Sequence, residues 1–153
     1  MSEYQELAKE CKCCSKHVPL PIVMKSYNGI VVCPTTLQSL SVLIDKLGKD
    51  KNKIKFYFVS IDPERDTPAV LKDYLSSFNP KINALTGKQK DLDVLIKSFS
   101  IYAKKVPLDN NNYTMDHSAA LILIDKSTNF VGTITFDEKN RVALEKLQKL
   151  IKN

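Results

Sequence analysis

Hydrophobic residues follow two different spacings along this 153-residue chain. Across residues 35–47 leucine and isoleucine recur every three or four positions, which predicts an amphipathic helix that ends at Gly48. Residues 53–61 are instead dense in Ile, Phe, Tyr and Val between charged turns, which predicts a buried strand that ends before Asp62-Pro63. The chain therefore combines a helix pattern with the pattern of a fully buried strand.

Three further helices and three further strands are predicted downstream. Thr67 and Pro68 suit an N-cap and a first helical position, and they predict a helix that ends at Asn79-Pro80. The remaining patterns predict a short strand over residues 82–85, a helix over 91–100, a hairpin of strands 119–124 and 130–136, and a C-terminal helix over 142–151.

Helices that alternate with buried strands predict an α/β domain with a partly parallel sheet covered on both faces. With Cys33 at the start of the first helix, the pattern favours a thioredoxin-like fold, a central mixed sheet flanked by helices. Such a sheet needs one more strand before Cys33, and only residues 22–24 or 30–32 could supply it. We therefore expect the N-terminal strand region to be degraded or missing. Residues 1–28 are expected to be a divergent segment, with disorder as one option, and residues 29–153 the domain.

Length and composition set limits on the class of protein. A chain of 153 residues with 43% hydrophobic content is long enough for one domain with a core and too short for two. Its apolar runs are too short to cross a bilayer, so we expect no transmembrane segment. Residues 1–20 mix acids, lysines and three cysteines, and the chain is therefore expected to carry no signal peptide or anchor.

The net charge of +6 does not point to a nucleic-acid partner. Only Arg65 and Arg141 are arginines among 23 basic residues, and the lysines are dispersed among acids. This distribution is typical of a solvated lysine surface. The chain also lacks a Gly-rich phosphate loop, a Ser nucleophile elbow and paired catalytic carboxylates, which argues against kinases, dehydrogenases and hydrolases.

Cys33 and His117 are the residues most suited to chemistry. Backbone N–H groups and the helix dipole at a helix N-terminus favour the thiolate form of a cysteine, so Cys33 is predicted to be reactive or ligating, with a small buried residue as the alternative. His117 follows Asp116 and precedes a predicted strand, which puts it at one edge of the sheet. A thiolate with an imidazole suits copper or zinc. A histidine with an ordinary structural role remains the alternative.

Two other groups of polar residues are candidate sites. Cys11, Cys13 and Cys14 with His17 do not have zinc-module spacing, so Cu(I) binding and a reactive tail both stay open. A charged loop with Asp62, Glu64, Arg65 and Asp66 follows the strand of residues 53–61. A turn with local hydrogen bonds and an ion pair is favoured there, while Asp62 or Arg65 orienting the site is the alternative.

Four segments together resemble the Sco/SenC family of thioredoxin-like copper chaperones. They are Cys-Pro-Thr-Thr-Leu from position 33, Val-Ser-Ile-Asp-Pro-Glu-Arg-Asp-Thr-Pro from position 59, Leu-Thr-Gly from position 85 and Asp-His-Ser from position 116. The resemblance implies one copper ion held by two cysteines of a Cys-x-x-x-Cys motif and a distant histidine. It also implies a role in building the dinuclear copper centre of cytochrome c oxidase. On this chain Cys33 matches the second cysteine and His117 the histidine.

Gly29 stands where the family has its first cysteine, so one implied copper ligand is missing. Cys13 or Cys14 could substitute for it. The leading hypothesis is a copper chaperone, impaired or not, that delivers copper or maintains thiols for the copper-bearing subunit of the oxidase. The alternatives are a thiol-disulfide oxidoreductase or peroxidase using Cys33, and a non-functional remnant. The resemblance implies the periplasmic side of the inner membrane or the mitochondrial intermembrane space.

Overall fold

The computed structural model describes residues 20–25, 32–109, 112–117, 120–135 and 137–152, with the backbone alone for residues 20–25 and 32–34. In chain order its elements are β1 (Leu20–Lys25), α1 (Val32–Lys46), a 3-10 helix (Gly48–Lys53), β2 (Phe56–Ser60), α2 (Pro68–Leu75), β3 (Ile82–Leu85), α3 (Gln89–Ser98), β4 (Ala103–Pro107), β5 (Tyr113–His117), β6 (Ala120–Ile124), β7 (Phe130–Thr135) and α4 (Asn140–Lys152).

Five of the strands form one mixed sheet in the order β3-β2-β1-β6-β7. β1, β2 and β3 are parallel, whereas β6 is antiparallel to both of its neighbours. β4 and β5 form a separate antiparallel pair. The predicted α/β architecture, a central mixed sheet flanked by helices, is therefore confirmed.

The strand at the centre of the sheet corrects one expectation. β1 pairs with β2 on one side and with β6 on the other, so the strand expected to be degraded or missing is present in the fold. It contains residues 22–24, the first of the two candidate segments. The sheet therefore begins upstream of position 29, where the domain was expected to start.

The predicted helices are confirmed, with ends that differ by a few residues. α1 begins at Val32, so Cys33 and Pro34 lie in its first turn. Thr67 caps α2, because its side-chain oxygen accepts a hydrogen bond of 3.3 Å from the backbone N–H of Val70. Pro68 occupies the first turn of α2, where a missing N–H costs no helical hydrogen bond.

Apolar residues of the sheet divide between two core clusters, one on each face. Phe56 and Phe58 of β2 lie in the first cluster with residues of α1, α2 and α4, whereas Tyr57 and Val59 lie in the second with residues of α3. β2 is thus buried on both faces, which explains its nearly continuous apolar sequence. Because β2 is packed on both faces, the loop that follows its carboxyl end has a fixed starting position.

The hairpin of β4 and β5 was not predicted. Two adjacent lysines and a proline, Lys104, Lys105 and Pro107, interrupt the apolar alternation of β4. Ala103 and Met115 nevertheless pack against the second core cluster, which covers part of that face of the sheet. His117, expected at a junction between a loop and a strand, is the last residue of β5.

Candidate metal centre

The residues singled out from the sequence converge on one end of the sheet. β1 and β2 are parallel and their ends align, since Lys25 pairs with Ser60. β6 runs the other way beside β1, and Leu121, its second residue, lies opposite Val23. The last residues of β1 and β2 and the first residues of β6 therefore share one end of the sheet.

Cys33 is attached to this end through α1. Because β1 and β2 are parallel, the chain must return along the sheet between them, and α1 makes that return. A helix of 15 residues is about 22 Å long, enough to run the length of the strands. The N-terminus of α1, with Cys33 as its second residue, thus lies toward the carboxyl end of β1.

His117 lies near the same end of the sheet, because it closely precedes β6 in the chain. It ends β5, pairs with Ala103 of β4 and comes three positions before β6 begins at Ala120. Its side chain is half-buried. Because alternate residues of a strand share a face, His117 lies on the same face of the hairpin as Met115 and Tyr113.

The other predicted ligand positions lie outside the described residues. These are Gly29, Cys13 and Cys14, so the structure does not test whether either cysteine completes a site. Across the described ranges no three His, Cys, Asp or Glu side chains are grouped closely enough to hold a metal ion. A site made by Cys33 and His117 would have two donors from this part of the chain.

No helix in the described part of the chain is long and apolar enough to span a membrane.

Two buried acidic residues organise the loop after β2. The carboxylate of Asp66, with none of its residue surface exposed, accepts a hydrogen bond of 2.5 Å from the hydroxyl of Ser60. That hydroxyl in turn accepts one of 3.0 Å from the backbone N–H of Asp62. The backbone N–H of Asp66 donates to the carbonyl of Asp62 at 3.0 Å. The predicted turn with local hydrogen bonds is therefore confirmed, and it is fixed at both of its ends.

The loop after β2 also contacts the hairpin of β4 and β5, so its interactions are not only local. Arg65 forms an ion pair of 2.5 Å with Asp62, and its Nη1 donates to the backbone carbonyl of Tyr113 at 2.8 Å. The Tyr113 hydroxyl donates to Asp62 Oδ1 at 3.0 Å, and it lies 3.3 Å from Glu64 Oε2. Asp62 and Arg65 thus connect the end of β2 to the start of β5.

The electrostatic surroundings of Tyr113 keep its hydroxyl protonated. Burial and the hydrogen bond to the Asp62 carboxylate raise the pKa of Tyr113 to about 12 from an ordinary value of 10.0. The guanidinium carbon of Arg65 lies 3.8 Å from the centroid of the ring, and the ammonium of Lys105 lies 3.7 Å from it. Two cations therefore contact the ring of Tyr113, while its hydroxyl donates to a carboxylate. Sequence reasoning missed Tyr113, and no local motif marks it.

The chain matches the SCO1/SenC family over residues 28–152. An SCO2-like protein of Rickettsia prowazekii is 33% identical over 124 residues, which cover 80% of this chain and 58% of that protein. The mitochondrial protein SCO2 of Saccharomyces cerevisiae is 38% identical over 124 residues, which cover 78% of this chain and 41% of that protein. The chain thus spans 41% to 58% of the length of these two relatives.

Two solved structures resemble the fold. ScoI of Bradyrhizobium japonicum with copper bound has a TM-score of 0.81 and 38% identity, covering 88% of this chain and 86% of that chain. Yeast Sco1 with copper bound has a TM-score of 0.79 and 28% identity, covering 89% of this chain and 77% of that chain. Both likenesses confirm the thioredoxin-like fold. Together with the family match, they show that this chain belongs to the SCO1/SenC family.

Proposed function

We propose that this chain is a copper chaperone that binds one copper ion through Cys33 and His117 and transfers it to the dinuclear copper centre of cytochrome c oxidase. The proposal is carried by the convergence of β1, β2 and β6, because the elements bearing Cys33 and His117 connect to neighbouring strands at one end of the sheet. It is supported by family membership and by likeness to two Sco structures with copper bound.

The donor set suits copper in its reduced state. A cysteine in the first turn of a helix is favoured as thiolate, and soft thiolate ligands select Cu(I). Imidazole nitrogen is also a suitable copper ligand. A site with two protein donors leaves copper accessible for transfer to another set of ligands, which is what delivery requires.

Cys13 and Cys14 are proposed as substitutes for the ligand missing at Gly29, and chain length limits how they could act. β1 rises by about 3.3 Å per residue and therefore runs about 17 Å from Leu20 to Lys25, toward the end with Cys33 and His117. Cys14 precedes Leu20 by six residues, which span at most about 22 Å when fully extended. Cys13 has one residue more. Either cysteine could therefore reach the metal site of its own chain only if the residues between it and Leu20 ran back along β1 in a nearly extended conformation.

A Cu(I) titration of the fully reduced chain against the chelator bicinchoninate tests this function. We expect one tightly held Cu(I) per chain. Cys33→Ser and His117→Ala should each weaken binding beyond the roughly 10–100-fold that loss of an outer-shell partner costs. His17→Ala is the companion variant, since the chain has two histidines: parent-like binding is expected if copper lies at Cys33 and His117, whereas weaker binding would point to the N-terminal cluster that includes His17.

Changing Cys11, Cys13 and Cys14 together to Ser measures their share in the site. A large loss would support a substitute ligand, and no loss would leave a site with Cys33 and His117 alone. If copper is held only by the N-terminal cysteines, and the Cys33 and His117 variants bind normally, the proposed site is wrong.

By the same family membership, we propose the copper-bearing subunit of cytochrome c oxidase as the partner. The compartment proposed is the periplasmic side of the inner membrane or the mitochondrial intermembrane space, and both bacterial and mitochondrial proteins occur among the relatives. We propose a chaperone rather than an enzyme, by the same family membership. A thiol-disulfide reductase would need a second thiol to resolve its mixed disulfide, and Cys11, Cys13 or Cys14 would have to supply it.

A further inference from the structure

The hairpin that ends in His117 is anchored at its other end by Tyr113. We propose that Tyr113 is a positioning residue, which, through Asp62 and Arg65, fixes the hairpin so that His117 faces the metal site. The inference rests on the proposed function, because it assigns a role toward the His117 ligand. Its support is a group of contacts that joins two segments about 50 positions apart in the chain.

The contacts hold Tyr113 from three sides. Its hydroxyl donates to Asp62 Oδ1 at 3.0 Å, and its backbone carbonyl accepts from Arg65 Nη1 at 2.8 Å. The guanidinium of Arg65 also lies over the ring, with 3.8 Å between its central carbon and the ring centroid. A hydrogen bond to a carboxylate is stronger than one between neutral groups. Hydroxyl, backbone and ring are thus all fixed by the same two residues.

The anchor belongs to a rigid part of the molecule. Asp62 is 4% exposed, pairs with Arg65 and receives backbone hydrogen bonds from Arg65 and Asp66 through its carbonyl. It follows β2, which is buried on both faces. Movement of a side chain held by such a loop would disturb the end of β2.

The strand geometry of β5 links the contacts of Tyr113 to the position of His117. Tyr113, Met115 and His117 alternate along the strand and share one face. Met115 packs against the second core cluster, so an apolar contact holds the middle of this face and a polar network holds its first residue. Pairing of β5 with β4 runs from Tyr113 to His117 without a register shift. Because a slip of one residue would turn His117 to the other face, the two contacts also fix its orientation.

Tyr113→Phe separates the hydroxyl from the rest of the side chain. Phe keeps the ring beneath Arg65 and Lys105 and leaves the backbone contact in place, but it cannot donate to Asp62. Loss of an outer-shell partner of a metal ligand typically costs 10–100-fold in affinity. Tyr113 lies at the opposite end of β5 from His117, so its effect should not exceed the lower end of that range. We expect the affinity for Cu(I) to fall about tenfold. Tyr102→Phe removes a hydroxyl from the half-exposed tyrosine just before β4 and is the companion variant, which should lower the affinity less than Tyr113→Phe does.

A double-mutant cycle with His117→Ala shows whether Tyr113 acts through His117. In the titration against bicinchoninate, Tyr113→Phe should weaken binding in the parent chain but not in the His117→Ala background. Unchanged affinity in the parent chain, or an equal loss in both backgrounds, would overturn the inference while leaving the copper site standing. If His117→Ala itself binds Cu(I) like the parent chain, the proposed site fails, and the positioning role fails with it.

The metal-free protein provides an independent readout. In Tyr113→Phe we expect faster amide hydrogen exchange along β5 and broadened NMR signals of the His117 ring, with exchange in β2 and α1 unchanged. Parent-like exchange along β5 would contradict the positioning role without any reference to copper. Faster exchange throughout the domain would also contradict it, since it would mean a general loss of stability.

Discussion

At the scale of single residues, position within an element determined what could be predicted. Cys33 was singled out by its place before a predicted helix, and it lies in the first turn of α1. The sequence assigned His117 to one edge of the sheet, whereas the structure places it at the end of β5, in the separate pair that β5 forms with β4. Tyr113 could not be found in this way, because its role depends on Asp62 and Arg65, which are distant in the chain.

The raised pKa of Tyr113 predicts a specific loss of stability at high pH. Its pKa in the folded protein, about 12, lies above the ordinary 10.0, so folding favours the protonated hydroxyl. The stabilising effect is complete below pH 10 and is lost as pH rises toward 12. Asp62 and Glu64 oppose ionisation, whereas Arg65 favours it.

Urea unfolding of the parent chain and of Tyr113→Phe between pH 8 and about pH 11 measures this loss. The parent should be more stable at pH 8, and its advantage should shrink above pH 10 because only the parent carries the titrating hydroxyl. A constant difference across the range would show that the hydroxyl is not held by Asp62.

At the scale of elements, some strands could be predicted from the sequence, whereas others form because of tertiary contacts. β2, β3, β6 and β7 were predicted, since apolar residues cluster there and turn residues follow. β1 contains Pro21, which argues against a central strand, yet pairing on both sides stabilises it there. β4 and β5 have mixed polar sequences, and they form a hairpin because one face packs on the core.

The turn between β6 and β7 offers a test of one element's stability. One carboxylate oxygen of Asp125 accepts hydrogen bonds from the backbone N–H groups of Ser127 at 2.8 Å and Asn129 at 2.9 Å. The other accepts one of 3.0 Å from the side-chain amide of Asn129. Partial burial opposes ionisation, but these hydrogen bonds prevail and lower the pKa of Asp125 from 3.8.

Asp125→Ala should lower the free energy of unfolding by about 1–2 kcal/mol near neutral pH, because backbone N–H groups lose their acceptor. Asp125→Asn keeps an acceptor oxygen and should lose less. A lowered pKa means that the contribution of the carboxylate is present above about pH 4 and is lost as pH falls below it. Urea unfolding at pH 7 and pH 3 measures both effects, and an Asp125→Ala chain as stable as the parent at pH 7 would contradict them.

At the scale of the whole molecule, the layer order was predictable and the assembly of the site was only partly so. Alternating helices and buried strands predicted a sheet covered on both faces, which the two core clusters confirm. Which strand ends lie together depends on strand pairing. β6 is antiparallel to β1, so the first residues of β6, which closely follow His117 in the chain, lie beside the end of β1 that leads to α1. No sequence pattern specifies that neighbourhood.

The central claim is that a thiolate and an imidazole from this fold hold one copper ion together. X-ray absorption spectroscopy of the reduced chain loaded with one Cu(I) tests it most directly, with His117→Ala measured beside it. We expect sulfur and imidazole nitrogen as first neighbours of copper in the parent chain, and loss of the imidazole signal in His117→Ala. A sulfur-only spectrum in the parent, identical in His117→Ala, would contradict the claim and point to copper held by cysteines alone.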